Sequence, residues 1–581
     1  MQNRNKQNID RFFTGRMFGR QYVPALVSAL VLSFGDIADS LVLGNRIGYI
    51  GLAALALIMP VSQAFNIIMN AFGIGGSVRF AHHMARGKRE EAAAGFQSVL
   101  FFTVATGVLL AVFGNLLIVP ILRILGTAQK DGEIFEAARR YLSILLWGCP
   151  ALFLNYVLNY YMKAADMEKQ ASIAFTTGNV IDIGLNVVLV LLLHMGVTGA
   201  ALATVIGQAI GLGLSTVFII RKKETLTLRK FKLDVRESWV SFRIGLSSSI
   251  EFFYSTIFLL IANNLLIRSL GGVGVAILDV VLGVSYFMTN LYDAVVKSIL
   301  PVVSTYSGER NEAGMRHARN IGIFYIVLSG FLLGAAVFLF PDGICRFFGM
   351  EDPAMLASAR TALRMYAASI PLAGIGMLLT NYYEARQLQR QTLIRSTIRG
   401  VLPIIFALVF AFLLPKQFFG VYVLSEALAL IAFSLLHKID PAKGFDGGSI
   451  YRGTIYSTDE EVSRTTSQIE EFCERSGASP GQRYMAMMFV EEICIATMKN
   501  GFMGKEDGFI QIVLIVLDEG GFELHIRDNA ASYNPLAMEF NGGAAYEEAN
   551  LDALGIVTIK KKAKSFSYRH FQGFNTVVIE L

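Results

Sequence analysis

The sequence has little charge and few cysteines for its length. Only 17% of the 581 residues are charged, whereas a soluble domain usually has about 25%. The four cysteines, Cys149, Cys345, Cys473 and Cys494, show no CxxC spacing, so we expect them to be unpaired rather than in disulfides or metal sites. A Gly-x-x-x-x-Gly-Lys-Ser/Thr phosphate loop is absent, which argues against an ATP-driven pump of the ABC type.

Long apolar runs fill the first three quarters of the chain. A membrane span needs about 20 apolar residues. Charged residues return at the density of a soluble protein after position 441. The sequence therefore predicts an α-helical polytopic membrane protein, a linker at 439–449 and a soluble domain at 450–581. Twelve candidate spans lie at 22–44, 50–74, 94–120, 139–162, 171–194, 198–220, 240–266, 274–299, 319–341, 359–384, 392–414 and 418–437.

Lys and Arg are unevenly distributed between the connecting loops. The N-terminal segment and the loops after spans 2, 6, 8 and 10 are rich in them, and most loops of the other parity are poorer. Basic residues flanking membrane spans stay in the cytoplasm. We therefore predict that both termini are cytoplasmic and that the protein lies in a bacterial plasma (inner) membrane. Much of the excess positive charge, a net +6, lies beside apolar segments, where basic residues orient the spans. Nucleic acid is therefore not an expected partner.

Short motifs recur at a near-constant distance along the chain. The Gly-x-Arg-x-Glu-Ala motif at Gly87–Ala92 returns at Gly308–Ala313, 221 residues later. Asn159–Tyr161 returns as Asn381–Tyr383, 222 residues later. These repeats predict two parallel six-span halves, at 1–220 and 221–438. Transporters built from such halves bind substrate between them and work by rocking one half against the other.

Several acids fall inside the predicted spans, where an ionisable side chain is a functional candidate by default. Span 1 carries Asp36 and Asp39, three residues apart and so on one helical face. Span 5 carries Asp182 and Asn186, four residues apart and again on one face. Span 7 carries Glu251. We predict that these five side chains serve cation coupling or transport, by taking up H⁺ or coordinating Na⁺.

Other intramembrane acids have a simpler interpretation. Asp293 precedes Lys297 by four residues, so an ion pair is expected there. Asp279 and Glu426 also lie within predicted spans. A position at a helix end, or pairing with Lys or Arg, stays open for these acids.

The membrane region resembles the multidrug and toxic-compound extrusion (MATE) transporters. The matching segments are Asp39–Gly44 (DSLVLG), Gly51–Leu55 (GLAAL) and Met195–Thr204 (MGVTGAALAT). The resemblance implies a cation antiporter that exports mostly cationic amphipathic small molecules and is driven by H⁺ or Na⁺. It also implies that Asp39 is the coupling residue.

Two further positions compare with the same family. In span 5, many members have Asn followed four residues later by Asp, whereas this chain has Asp182 followed by Asn186. Glu251 resembles the span-7 acid of one Na⁺-coupled subgroup. The resemblance therefore implies that Asp182, Asn186 and Glu251 are further candidates for cation coupling, with the order of Asp and Asn in span 5 reversed.

The soluble tail reads as an α/β sandwich. Strands are predicted at 451–456, 509–517, 522–527, 565–571 and 575–581, with a helix that begins near Pro480 and another near 554–564. Its order resembles the histidine-kinase-like (GHKL) ATP-binding fold, and is closest to the anti-sigma-factor kinases. The residues that carry the resemblance, and that it implies contact nucleotide, are Glu492, Asp528, Gly555 and Thr576.

Two positions depart from the GHKL pattern. Ala496 stands where the family has the Mg²⁺-binding Asn, and Ala530 stands where it has Gly. An alanine offers no side-chain oxygen to Mg²⁺. Kinase activity, ATP sensing without turnover and protein binding therefore all stay open for the tail, and inefficient kinase chemistry is expected.

The sequence as a whole predicts a secondary transporter rather than an enzyme. We expect a cation-coupled exporter of small amphipathic compounds, embedded in the lipid bilayer, whose tail at 450–581 regulates it or docks a cytoplasmic regulatory protein. One alternative is a membrane-tethered signalling regulator, in which the transporter half senses a ligand. A lipid or glycolipid flippase is another.

Overall fold

The computed structural model describes residues 2–85, 89–127, 132–165, 167–222, 233–247, 249–439, 449–456, 458–502, 508–517, 521–531, 533–535, 548–571 and 573–581. It forms two compact units. One unit comprises Met1–Pro24, Ser298–Ile321 and Ala442–Leu581. The other comprises Ala25–Lys297 and Gly322–Pro441.

Helices dominate the described chain. Eleven of the described helices are long and apolar enough to cross a membrane, which identifies an integral membrane protein. The α-helices are α1 Gln2–Ile47, α2 Tyr49–Ala85, α3 Arg89–Leu116, α4 Ile118–Leu125, α5 Glu133–Ala164, α6 Glu168–Asn186, α7 Gly196–Lys222, α8 Val235–Ser247, α9 Ile250–Gly308, α10 Glu312–Leu339, α11 Pro341–Phe347, α12 Pro353–Ala385, α13 Gln389–Leu413, α14 Val421–Ile439, α15 Asp459–Arg475, α16 Pro480–Asn500 and α17 Glu548–Lys562.

The twelve predicted spans correspond to eleven apolar helices in the described chain because α9 contains two of them. Helix α9 has 59 residues. At 1.5 Å per residue such a helix would be about 89 Å long, roughly three times the 30 Å hydrocarbon core of a bilayer. Gly271 interrupts it with non-helical angles, φ 66° and ψ −160°. The two arms around Gly271 correspond to the predicted spans 7 and 8.

Two short helices, α4 and α11, follow the predicted third and ninth spans. With 8 and 7 residues they are too short to cross a bilayer. A glycine with positive φ follows each of them, Gly126 at 108° and Gly349 at 81°. This left-handed conformation is accessible to glycine and strained for other residues, so it ends each short helix at a defined point.

The two short helices make matching contacts with distant parts of the chain. Asn264 on α9 donates from Nδ2 to the carbonyl oxygen of Ile124 at 2.8 Å. Asn45 on α1 donates from Nδ2 to the carbonyl oxygen of Phe347, also at 2.8 Å. Each predicted half therefore holds the short helix of the other through an asparagine near the end of its first span.

Local sequence signals set where several helices begin. Asp352 caps α12 by accepting from the Ala354 backbone NH at 2.8 Å, and Pro353 occupies the first turn. Ser479 and Gln482 form a reciprocal capping box at the start of α16. The helix predicted to begin near Pro480 is therefore confirmed.

The tail contains a five-stranded antiparallel sheet with the order β1-β2-β3-β5-β4. Apolar residues from the strands and from α15, α16 and α17 share one core, including Phe489, Ile512, Leu524 and Ile556. Residues that alternate with these along the strands lie on the opposite side, which we name the outer face. The strands are β1 Ile450–Ile455, β2 Ile510–Val516, β3 Phe522–Asp528, β4 Ser565–Phe571 and β5 Phe574–Glu580.

Candidate functional site

Asp39 on α1 lies at the centre of a polar cluster built by four helices. Its Oδ2 accepts from the Tyr141 hydroxyl of α5 at 2.6 Å, and its Oδ1 accepts from Nδ2 of Asn186 on α6 at 2.6 Å. The same Nδ2 donates to Oδ1 of Asp182 at 3.1 Å. The Thr204 side chain of α7 lies beside Asp182. We name these five residues, Asp39, Tyr141, Asp182, Asn186 and Thr204, the Asp39 cluster.

The helical spacing in span 5 determines this arrangement. Asp182 and Asn186 are four residues apart on α6, so their side chains share a face and hydrogen-bond each other. Asn186 is 1% exposed, and its single amide nitrogen donates to two carboxylates. The reversed order of Asp and Asn therefore still brings both side chains to Asp39.

Four members of the Asp39 cluster, all except Asn186, line a cavity of about 420 Å³. Aromatic and methionine side chains supply much of the remaining wall, among them Phe65, Phe153, Tyr156 and Met69. No Lys or Arg is among the described residues that line this cavity. Two carboxylates in a wall of apolar and uncharged polar side chains suit a proton, a small cation or the cationic group of an amphipathic molecule.

Glu251 lies in a different cavity. That cavity has a volume of about 510 Å³ and is lined by residues of α9, α12, α13 and α14. Oε1 of Glu251 accepts from the Ser396 hydroxyl at 3.0 Å. In the same cavity Arg399 donates from Nη2 to Oε1 of Glu426 at 3.0 Å and from Nε to Oε2 at 3.3 Å. The five predicted coupling residues therefore do not form one site.

The remaining predicted acids have separate environments. Asp293 pairs with Lys297, as their spacing predicts. Asp279 on α9 is 1% exposed and neighbours Ser40, without a well-formed hydrogen bond to either carboxylate oxygen. Asp36 lies on α1, and its side chain lies outside the described residues.

Sequence reasoning missed three residues of these two cavities. Tyr141 directly follows two arginines at the start of a predicted span, where no pattern marks it as a ligand of Asp39. Thr204 ends the segment 195–204 that carries the family resemblance, which was an available signal. Arg399 is a basic residue inside the apolar run 392–414, and this charge could have predicted the pair with Glu426.

In the tail, Asp528 is buried and accepts two hydrogen bonds from other residues of the domain. Its Oδ1 accepts from Nδ2 of Asn575 at 2.7 Å and from the Ala530 backbone NH at 2.9 Å. Gly555 lies directly against the carboxylate of Glu492, where a Cβ atom would collide with it. The structure thus forms two pairs, Asp528 with Asn575 and Glu492 with Gly555.

Thr576 lies on the opposite side of the sheet from Asp528. In the register of β3 and β5, Asp528 faces Asn575 and Arg527 faces Thr576. Side chains of consecutive strand residues point to opposite faces. Asn575, rather than Thr576, is therefore the β5 residue that contacts Asp528.

Comparisons with known proteins agree with this architecture. The MatE family model matches the chain twice, at 24–188 and 244–409, together more than half of its length. A probable multidrug resistance protein NorM of Thermotoga maritima is 25% identical over 354 residues, which cover 59% of this chain and 74% of that protein. The multidrug export protein MepA of Staphylococcus haemolyticus is 22% identical, with 67% and 85% covered.

Solved structures show the same fold. A structure described as the inward-facing conformation of a multidrug resistance MATE family transporter of the MOP superfamily superposes with a TM-score of 0.63 at 21% identity. It covers 72% of this chain and 98% of that one. The two matches of the family model, one in each predicted half, show that this chain belongs to the MATE family of multidrug efflux transporters.

Proposed function

We propose that this chain is an antiporter, coupled to H⁺ or Na⁺, that exports small cationic amphipathic compounds. The Asp39 cluster is the observation that carries this proposal, since two carboxylates share one amide donor and both line a cavity with no basic residue among its described lining. Like charges repel strongly where little water screens them. A bound cation of either kind, the coupling ion or the substrate, relieves that repulsion.

Exchange follows from competition for the same oxygens. A carboxylate accepts hydrogen bonds only, whereas a carboxylic acid also donates one. A proton taken up by Asp39 or Asp182 therefore changes the hydrogen bonds with Tyr141 on α5 and Asn186 on α6. A sodium ion would instead occupy the lone pairs of the carboxylates. In either case the loaded cluster attracts a cationic substrate less, so ion entry favours substrate release.

Replacement of Asp39 by Asn tests the coupling role. Asn is nearly isosteric and still accepts from Tyr141, but it carries no charge and takes up no proton. Gradient-driven efflux of rhodamine 6G from proteoliposomes should fall by about 100-fold, the range reached when an essential ionisable group is lost. Gradients of H⁺ and of Na⁺ are imposed separately to identify the coupling ion.

The matched control is Asp342→Asn. Asp342 is an exposed acid on α11 that pairs with Arg360 at 2.7 Å, away from both cavities. Its efflux should equal that of the wild type. Efflux at the wild-type rate from the Asp39→Asn protein would refute the assignment of Asp39.

For the tail, we propose a regulatory domain related to the GHKL fold that binds adenine nucleotide without efficient turnover. The sheet with α15–α17 on one side, and the pairs Asp528–Asn575 and Glu492–Gly555, support the relationship. Ala496 and Ala530 are both buried at 3% exposure, and neither methyl side chain offers an oxygen to Mg²⁺. Binding is therefore expected to depend little on Mg²⁺.

Calorimetric titration of the full chain with ATP, with and without Mg²⁺, measures this. The expected result is a dissociation constant for ATP that changes by less than about threefold when Mg²⁺ is added. Because Ala496 replaces the Asn that would bind the metal, Mg²⁺ should contribute little to the free energy of binding. Tight binding that requires Mg²⁺ would contradict the interpretation of Ala496. A complete lack of heat would favour a domain that binds protein only.

The proposal places both termini in the cytoplasm of a bacterial cell, beneath the inner membrane. The basic residues of the N-terminus and of the loops after the even-numbered spans support this orientation. The tail then lies on the side where nucleotides and regulatory proteins are found.

A further inference from the structure

The outer face of the sheet is covered rather than exposed to solvent. Arg527 on β3 points to this face and is 2% exposed. The segments that contact it are 10–16 of α1 and 306–311, where α9 ends and α10 begins. All three parts belong to the same compact unit. A face that an isolated domain would expose is thus used as a binding surface for other parts of this chain.

A buried ion pair holds the centre of this surface. Nη2 of Arg527 donates to Oε2 of Glu309 at 3.1 Å, and the two side chains are 3% and 2% exposed. Nε and Nη2 of Arg527 also donate to Oε1 of Gln511 on β2, at 3.0 and 2.7 Å. The guanidinium carbon lies 3.8 Å from the centre of the Phe13 ring. The charge of Arg527 is therefore met by an acid, an amide and an aromatic face at once.

Further hydrogen bonds tie all three parts together around Asp10. Its Oδ1 accepts from Nε2 of Gln511 at 3.3 Å, and its Oδ2 accepts from Nδ2 of Asn311 at 3.1 Å. Arg452 on β1 donates from Nη2 to the carbonyl oxygen of Glu309 at 2.8 Å. Burial lowers the pKa of Arg452, and the negative charges of Glu309 and Asp10 act against that shift.

Aromatic rings fill the rest of the surface. Phe13 packs edge-on against Phe574 at 4.9 Å and against Tyr306 at 5.5 Å between ring centres. Phe12 contacts Phe509 and Phe574 at 6.3 and 6.4 Å. These rings come from α1, from α9 and from the sheet. Packing of this kind adds specific geometry to apolar burial.

The two contacted segments belong to different repeats of the transporter. Segment 10–16 lies in the first third of α1, the first helix of one predicted half, and α1 continues without a break in the helix to Asp39. Segment 306–311 lies within the second match of the family model. Transporters made of parallel repeats work by moving one repeat against the other. A surface bound to both repeats opposes that motion.

We propose that the outer face of the sheet, formed by Arg452, Gln511, Arg527 and Phe574, is a clamp that joins the two repeats and slows the transport cycle while engaged. The inference rests on the proposed regulatory role of the tail and names its mechanism. The partner of this face is the chain itself, at segments 10–16 and 306–311. Release of the clamp raises the rate of efflux, and covalent closure of it lowers the rate.

Chemical cross-linking of the full chain tests the closed state. Asp10→Cys and Gln511→Cys place two thiols where a hydrogen bond of 3.3 Å now lies, and a short bifunctional maleimide joins them. The four natural cysteines are buried. Efflux of rhodamine 6G from proteoliposomes should fall at least about fivefold after cross-linking, relative to each single-cysteine protein treated alike.

Release is tested with Arg527→Met, which keeps an unbranched apolar stem and removes the charged guanidinium. In the double-cysteine background it should lower the yield of cross-link, and without the cysteines it should raise efflux about fivefold. Arg475→Met is the matched control, because the side chain of Arg475 on α15 is 69% exposed and its polar contact is with Glu471 of its own helix. If Arg527→Met does not fold, Glu309→Gln removes the same ion pair with a nearly isosteric side chain.

The outcomes separate this inference from the transport proposal. Unchanged efflux after full cross-linking, or a lower cross-link yield in Arg527→Met without faster efflux, would overturn the clamp as a brake on transport. Absence of gradient-driven efflux in the wild type would refute the antiport proposal. The cross-link yields would still decide whether Arg527 holds the sheet against segments 10–16 and 306–311.

Discussion

At the scale of single residues, the state of Asp39 depends on side chains from other helices. Tyr141 and Asn186 each donate to one of its carboxylate oxygens at 2.6 Å. Hydrogen bonds to a charged group contribute about 1.5–3 kcal/mol each, more than bonds between neutral groups. The orientation of α5 and α6 therefore controls how readily Asp39 carries charge, and the charge on Asp39 in turn acts on those helices.

Tyr141→Phe should weaken coupling without abolishing it. The ring stays, while the donor to Oδ2 of Asp39 is lost, so about 1.5–3 kcal/mol of preference for the carboxylate disappears. We expect gradient-driven efflux of rhodamine 6G to fall about tenfold and its dependence on external pH to shift. Initial rates measured across a pH series check both effects.

Tyr160→Phe is the control for this change. Tyr160 also loses a side-chain hydrogen bond on substitution, to Oδ1 of Asn70 at 2.8 Å, but it is not part of the Asp39 cluster. Its pH profile should match that of the wild type. An identical effect of both substitutions would mean that the hydrogen bond from Tyr141 to Asp39 has no specific role in coupling.

At the scale of elements, the short helices α4 and α11 are fixed by backbone geometry at their ends. Gly349 has φ 81°, and a Cβ atom there would overlap the backbone of Gly44. Gly126 has φ 108°, and a Cβ atom there would lie 3.2 Å from Cα of Asn264, a tight contact without overlap. These close approaches place Asn45 and Asn264 within hydrogen-bond distance of the short helices.

Gly349→Ala should destabilise the protein by about 2–4 kcal/mol, because the added carbon forces both a strained φ and a shift of the Gly44 backbone. The midpoint of thermal unfolding in detergent, followed by fluorescence, measures this loss. Gly343→Ala in α11 provides the comparison, since a Cβ there has no neighbour within 4 Å. Equal midpoints for the two variants would show that the contact with Gly44 yields easily.

At the scale of the whole molecule, the tail forms one compact unit with parts of the transporter helices. The unit that contains the sheet also contains Met1–Pro24 and Ser298–Ile321, so it combines the tail with the start of α1 and with the junction of α9 and α10. The predicted halves, 1–220 and 221–438, each contain one match of the family model. Segments of both halves contact the same sheet, which is the reason for proposing that the tail regulates the motion of one half against the other.

The sequence by itself determined the membrane class, the repeat and the order of elements in the tail. These depend on local composition and periodicity, which act over about 20 residues for a span and fewer for a strand. It also placed Asp39, Asp182 and Asn186 on their helical faces, because the spacing of side chains along a helix is fixed. The segment around Gly271 is an exception: the sequence predicts two spans joined by a loop, whereas the structure has one long helix that is interrupted at this glycine.

Only the tertiary structure decided which side chains meet. Tyr141 joins Asp39 across 102 residues, Glu251 lies in another cavity, and Arg527 reaches Glu309 across 218 residues. Such contacts depend on how helices and strands pack, and no local pattern encodes that packing. The burial of Arg527 was therefore invisible in the sequence, although the alternation of strand β3 already set the face to which it points.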